Sequence, residues 1–102
     1  GLEYQYRQTL LEAEQKNMDA ALQQTLQQLE KDRELLDYYE QQGLAQATAI
    51  LGAARLSYHA GEISFAELSQ FMTQAIDIRR NYLEVLHQYN QSAITFLYYN
   101  QL

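Results

Sequence analysis

The segment His59-Ala60-Gly61-Glu62-Ile63-Ser64-Phe65-Ala66-Glu67-Leu68 is the one place in the chain where a helix-stop signal and a helix-start signal meet. Gly61 can take the left-handed conformation that closes a helix without the penalty a Cβ would incur. Ser64 followed three residues later by Glu67 has the form of a capping box, in which each side chain satisfies a backbone N–H of the other. Ile63 just before the cap and Leu68 at the fourth helical position have the spacing of a hydrophobic staple. A connection this short between two helices forces them to run back side by side.

Upstream of that turn the larger apolar residues recur every three, four or seven positions: Tyr4, Leu11, Met18, Leu22, Leu26, Leu29, Leu36, Tyr39, Leu44, Ala47, Leu51, Ala54 and Tyr58. Downstream they do the same at Phe65, Leu68, Met72, Ala75, Tyr82, Leu86, Tyr89, Ala93 and Phe96, with Arg79 at the one position where the series turns polar. Each series is the apolar stripe of an amphipathic helix. The expectation is therefore an all-α fold, a long antiparallel α-helical hairpin with its first helix over about 3–59 and its second over about 65–100. At 1.5 Å per residue the arms are roughly 85 and 54 Å long, so Asn100 should lie near Gln23. Tyr4, Leu10, Leu11 and Met18 are then left with no partner inside the chain. A two-helix hairpin cannot build a large core, and covering such surface calls for other helices or other copies. Tyr38, Phe71, Tyr98 and Tyr99 lie off the main stripes and point the same way.

Composition agrees. The 102 residues include no proline, no cysteine, four glycines and a single valine, with Leu, Gln and Ala predominant, which suits helix and not sheet. Gly43 and Gly52 are read through as helical positions costing roughly 1 kcal/mol each relative to alanine. The small residues between Gln41 and Gly61 suggest close packing near the turn. Thirteen acidic against seven basic residues give a net charge of -6, which disfavours a nucleic-acid partner. The polar faces carry Gln and acids where a membrane-surface helix would carry Lys and Arg. No apolar run approaches the ~20 residues of a bilayer span. Gly1 opens directly into the pattern, as in a piece of a longer chain, so the absence of a targeting segment within it says little.

Chemistry finds little foothold. Neither a G-x-S-x-G elbow nor a phosphate-binding glycine loop is present, and no catalytic, cofactor-binding or metal-ligating residue is proposed. His59 at the turn and His87 within the second helix are roughly 35 Å apart along the axis, too far to share one ion. The acidic run Glu30, Asp32, Glu34, Asp37 and Glu40, interrupted by Lys31 and Arg33, reads as a solvated face, and Arg80 has Asp77 and Glu84 within reach.

Residues 54–68, Ala-Arg-Leu-Ser-Tyr-His-Ala-Gly-Glu-Ile-Ser-Phe-Ala-Glu-Leu, with 81–93, Asn-Tyr-Leu-Glu-Val-Leu-His-Gln-Tyr-Asn-Gln-Ser-Ala, resemble the outer-membrane efflux channels of the TolC type. The shared features are Tyr58, Gly61, Ile63 and Leu68 around the turn and Tyr89-Asn90-Gln91 in the following helix; Ser92 before Ala93 departs from the family pattern by one residue. These stretches are especially similar to channels of heavy-metal efflux, including those fused to a resistance-nodulation-division cation pump. The resemblance implies that residues 1–102 are one helical hairpin of a larger periplasmic α-barrel, in a trimeric channel of the Gram-negative outer membrane whose membrane-embedded part lies elsewhere. It implies docking to a periplasmic adaptor and an inner-membrane pump, with Tyr58, His59, Ala60, Gly61, Glu62, Ile63 and Ser64 at the adaptor-facing tip and Leu68 supporting them. The hairpin of the adaptor itself is similar as well, through Gly61-Glu62-Ile63-Ser64 and Glu67-Leu68, and a general coiled-coil interaction module is the third reading.

Overall fold

The computed structural model describes residues 1–101. It is a rod 86 × 22 × 14 Å, built from two antiparallel helical arms. The first arm comprises α1 (Leu2–Tyr38), a π turn (Tyr39–Gly43) and α2 (Leu44–His59); the second is α3 (Phe65–Gln101). The hairpin and both helical spans are as the sequence pattern requires, with one departure at the π turn.

The reversal is over-determined locally. The Glu62 N–H donates to the Ser57 carbonyl at 2.8 Å and the Gly61 N–H to the Tyr58 carbonyl at 3.0 Å, the paired bonds of a Schellman motif. Gly61 sits at φ 76°, the left-handed region that motif demands. Three residues later the next helix begins: the Glu67 N–H donates to Ser64 Oγ at 3.1 Å, and the Ser64 N–H and hydroxyl donate to Glu67 Oε1 at 3.4 and 3.2 Å. The orphan backbone groups of both helix ends are thus partly satisfied within eleven residues of chain.

The arms meet along one seam. On α3 it runs Leu68, Ala75, Ile78, Tyr82, Val85, Tyr89, Ser92, Phe96 and Tyr99, all buried or half-buried, with Phe71 at the margin. Including Phe71, the steps alternate three and four without a break, the heptad rhythm of antiparallel helices packed at a shallow angle. The sequence pattern placed Phe65, Met72 and Leu86 on this seam. The structure instead turns Phe65 and Met72 outward, leaves Leu86 at the flank and centres Val85 and Ile78. Tyr99, expected off the stripe, is half-buried on it.

The first arm contributes Met18, Leu22, Thr25, Leu29, Asp32, Leu36, Tyr39, Gly43, Ala47, Ile50, Ala54 and Ser57. Here the alternation fails once, at Tyr39, Gly43 and Ala47, where two steps of four follow each other. Eight residues of regular α-helix would overshoot two turns by about 80° and carry Ala47 off the seam. The π turn, closed by a Leu44 N–H donating to the Tyr39 carbonyl five residues back, holds one residue more than an α turn and so keeps both ends facing α3. Gly43 is buried there because the Tyr39 ring lies against it: a Cβ at 43 would come within 2.8 Å of Tyr39 Cδ1.

Every residue from Leu2 to Asn17 is exposed, so α1 projects past the described end of α3, whereas Met18, expected to lack a partner, is half-buried at the upper end of the seam. The close packing expected near the turn is made by Gly43, Ala47 and Ala54; Ala45, Ala49 and Ala53 face outward.

Candidate functional site: the tip and the flanking faces

Three regions of the rod carry side chains that could meet something else. The first is the tip. Tyr58, His59, Ala60, Gly61, Glu62 and Ser64 are exposed, Ile63 is half-buried and Leu68 is buried beneath them. The eight residues singled out from the sequence therefore form one contiguous end of the rod, six of them presented to solvent. The Tyr58 ring meets Phe65 edge-on at 6.2 Å and His59 at 5.8 Å, which ties the surface of α2 to the first turn of α3. Just behind, Ile50, Ala53, Ala54, Ser57, Ile63 and Phe71 line a shallow apolar cleft. Phe71, read from sequence as outward-facing, belongs to this supporting layer.

The second region is the pair of exposed apolar stripes on the flanks. Leu35, Tyr38 and Leu56 stand out from the first arm, and Met72, Ile76, Leu83, Ile94 and Leu97 from α3. Between Tyr38 and Leu56 the first arm presents Ala45, Ala49 and Gly52. Nothing lies within 4 Å of where a Cβ on Gly52 would stand, so no contact inside the hairpin calls for glycine at that position.

The third region lies halfway up the seam. Asp32, expected on the solvated acidic face, is instead only 3% exposed and occupies a seam position between Leu29 and Leu36. Burying a carboxylate requires partners. Gln28 Nε2 donates to Oδ1 at 2.9 Å and the Ser92 hydroxyl to Oδ2 at 3.5 Å. Around them the seam turns polar, and Gln24, Thr25, Gln28, Lys31, Gln91 and Thr95 line an open cleft. Arg33 pairs with Asp37 at 3.3 Å, not with Glu30, and stacks over the Tyr89 ring at 5.9 Å. The Tyr89 hydroxyl first, and then the Asp37 charge, hold its guanidinium above the ordinary value. On α3, Arg80 pairs with Asp77 at 3.5 Å.

The two histidines occupy separate parts of the rod, His59 at the end of α2 and His87 on an exposed face of α3. Among the described residues no three His, Cys, Asp or Glu side chains converge on a point where a metal ion could sit. No helix among them is long and apolar enough to cross a membrane.

Sequence reasoning missed Asp32 and the π turn. Both had a signal. Asp32 stands three residues after Leu29 and four before Leu36, in step with the seam. The succession Tyr39, Gly43, Ala47 breaks a rhythm that α3 keeps. Set beside models of known protein families, characterised proteins and solved structures, the chain matches none.

Proposed function

We propose that this hairpin is a wall segment of a TolC-type outer-membrane efflux channel, its tip docking to a periplasmic adaptor in a tripartite system that exports heavy-metal cations. The observation that carries the reading is the tip. A Schellman turn runs straight into a capping box at one end of an 86 Å rod, and Tyr58, His59, Ala60, Gly61, Glu62 and Ser64 stand free around it. A rigid, exposed reversal at the end of a long rod suits end-on contact with another helical hairpin. The flanks support the same reading: the apolar stripes on both arms are surfaces that lateral neighbours in a trimeric channel would cover.

In this role no covalent bond is made or broken and no cofactor takes part. The hairpin contributes mechanical length, a lateral packing surface and a docking end. The exported ion passes through a lumen formed by many helices, and its identity is set elsewhere in the assembly. The molecule would reside in the periplasm, joined to the outer membrane through a barrel formed by other parts of the polypeptide.

The test is a photo-crosslinker in place of Glu62, at the tip, compared with one in place of Gln8, in the uncovered part of α1, in Gram-negative cells carrying the complete protein. The reading expects Glu62 to capture a protein with a lipoyl-like β domain, and Gln8 to capture other copies of the channel. Capture at Glu62 of a protein with outer-membrane barrel strands would reverse the assignment and make this hairpin the adaptor's. Capture of neither would leave a general coiled-coil module. The sequence flanking residues 1–102 in the complete protein discriminates independently: amphipathic β-strands support the channel, a lipoyl-like β domain the adaptor.

A further inference from the structure

We propose that the π turn Tyr39–Gly43 is a conformational joint that sets the rotational phase of the upper first arm and thereby decides whether the two arms are zipped or parted above Tyr82. The argument begins from spacing. Tyr39 and Ala47 both belong to the seam, yet they are eight residues apart where seven would suit α-helix. One surplus residue must be absorbed, and the π turn absorbs it.

The alternative state can be read directly from the sequence. With Ala47, Ile50 and Ala54 held against α3, an unbroken α-helix places Glu40, not Tyr39, two turns above Ala47. Continuing upward, Asp37 replaces Leu36, Arg33 replaces Asp32, Glu30 replaces Leu29, Leu26 replaces Thr25 and Gln23 replaces Leu22. A seam made of Glu30, Arg33, Asp37 and Glu40 cannot pack on Tyr82, Val85 and Tyr89 without burying charge. Relaxing the turn to α-helix therefore separates the upper arms, while the half nearer the tip, from Leu44 to Leu83, keeps its packing.

The joint is built to hold the π position. The Tyr39 ring lies over Gly43 and 6.4 Å from the Tyr82 ring, and the Tyr82 hydroxyl donates to Glu40 Oε1 at 3.4 Å. Gly43 is the one residue type that permits this approach. The seam above the joint also carries Asp32, Thr25 and Ser92 among its larger apolar residues Leu22, Leu29, Leu36, Val85 and Phe96, so its apolar contact is interrupted by polar groups. The half below it is closed by Ala47, Ala54, Leu68 and Ala75 and by the capped turn.

The chain lacks cysteine, so pairs of introduced cysteines carry spin labels cleanly. One pair, Gln27 and Ile94, reports above the joint; another, Thr48 and Thr73, reports below it. Gly43→Ala is expected to lengthen and broaden the upper distance and leave the lower one as it was. Removing Gln42 deletes the surplus residue and is expected to give the native upper distance with a thermal midpoint at or above that of the unaltered chain. Removing Gln74 from the unbroken rhythm of α3 is expected to part the upper pair. The proposal is overturned if loss of Gln42 parts the arms, if Gly43→Ala leaves both distances native or disturbs both alike, or if loss of Gln74 is tolerated as well as loss of Gln42.

Discussion

The half of the rod near the tip and the half above the π turn are made of the same two helices, yet they are held together by different means. Near the tip, the best-buried seam positions of the first arm are small: Ala47 is 0% exposed, and Ala54, Leu68 and Ala75 are buried as well. The turn is fastened by five hydrogen bonds from Ser57 to Glu67, all local in sequence. Above the joint the seam contains a buried carboxylate, a threonine and a serine, and beyond Met18 it has no partner at all. Local signals specify the lower half, whereas the upper half depends on rotational phase set at a distance.

Leu36→Ala should cause the largest loss. Leu36 is the best-buried large side chain above the joint, and its truncation is expected to cost about 2–3 kcal/mol, near the low end for buried leucines because a two-helix seam can relax around the gap. Urea unfolding followed by circular dichroism measures it. Gly43→Ala comes next, at about 1–3 kcal/mol, since the added methyl must displace the Tyr39 ring. Gly61→Ala, which forces a Cβ into the left-handed region, is expected to cost about 1–2 kcal/mol and Ser64→Ala about 1 kcal/mol. For these two the loss should appear as faster hydrogen exchange in the first turns on either side of the tip, with the interior of the upper arm little altered.

Gly52→Ala is the smallest expected change and runs the other way. With nothing within 4 Å, alanine should stabilise the isolated hairpin by about 1 kcal/mol through helix propensity alone. Gly43 and Gly52 thus have opposite signs although both are glycines within one helical arm. If Gly52→Ala destabilised the isolated chain, the assignment of its face as open would be lost.

The legible part of this fold is the part written locally. Gly61, Ser64 and Glu67 name the turn and its two caps without reference to any distant residue, and the apolar stripes name two helices of unequal length. The eight tip residues were legible for the same reason, because a contiguous segment at a reversal is necessarily contiguous in space. Asp32 was not legible as a buried group, since its carboxylate among Glu30, Lys31, Arg33 and Glu34 has every mark of a solvated face. Its spacing from Leu29 and Leu36 fits the seam, and its pairing with Ser92, 60 residues away, shows which of the two readings holds. The π turn was hidden by a similar limit. A helix periodicity averaged over many turns tolerates one surplus residue, and the surplus becomes visible only against the unbroken rhythm of α3. Gly43 was read as a cost when it is a clearance, and that difference depends on where the Tyr39 ring goes.

Amide hydrogen exchange followed along the whole chain tests the contrast between the two halves most directly. Protection is expected to be strongest from Ala47 to Ala54 and from Leu68 to Ala75, weaker from Leu22 to Tyr39 and Tyr82 to Phe96, and lowest from Tyr6 to Asn17. Uniform protection from one end of the rod to the other, or protection that is greatest in the projecting part of α1, would contradict it.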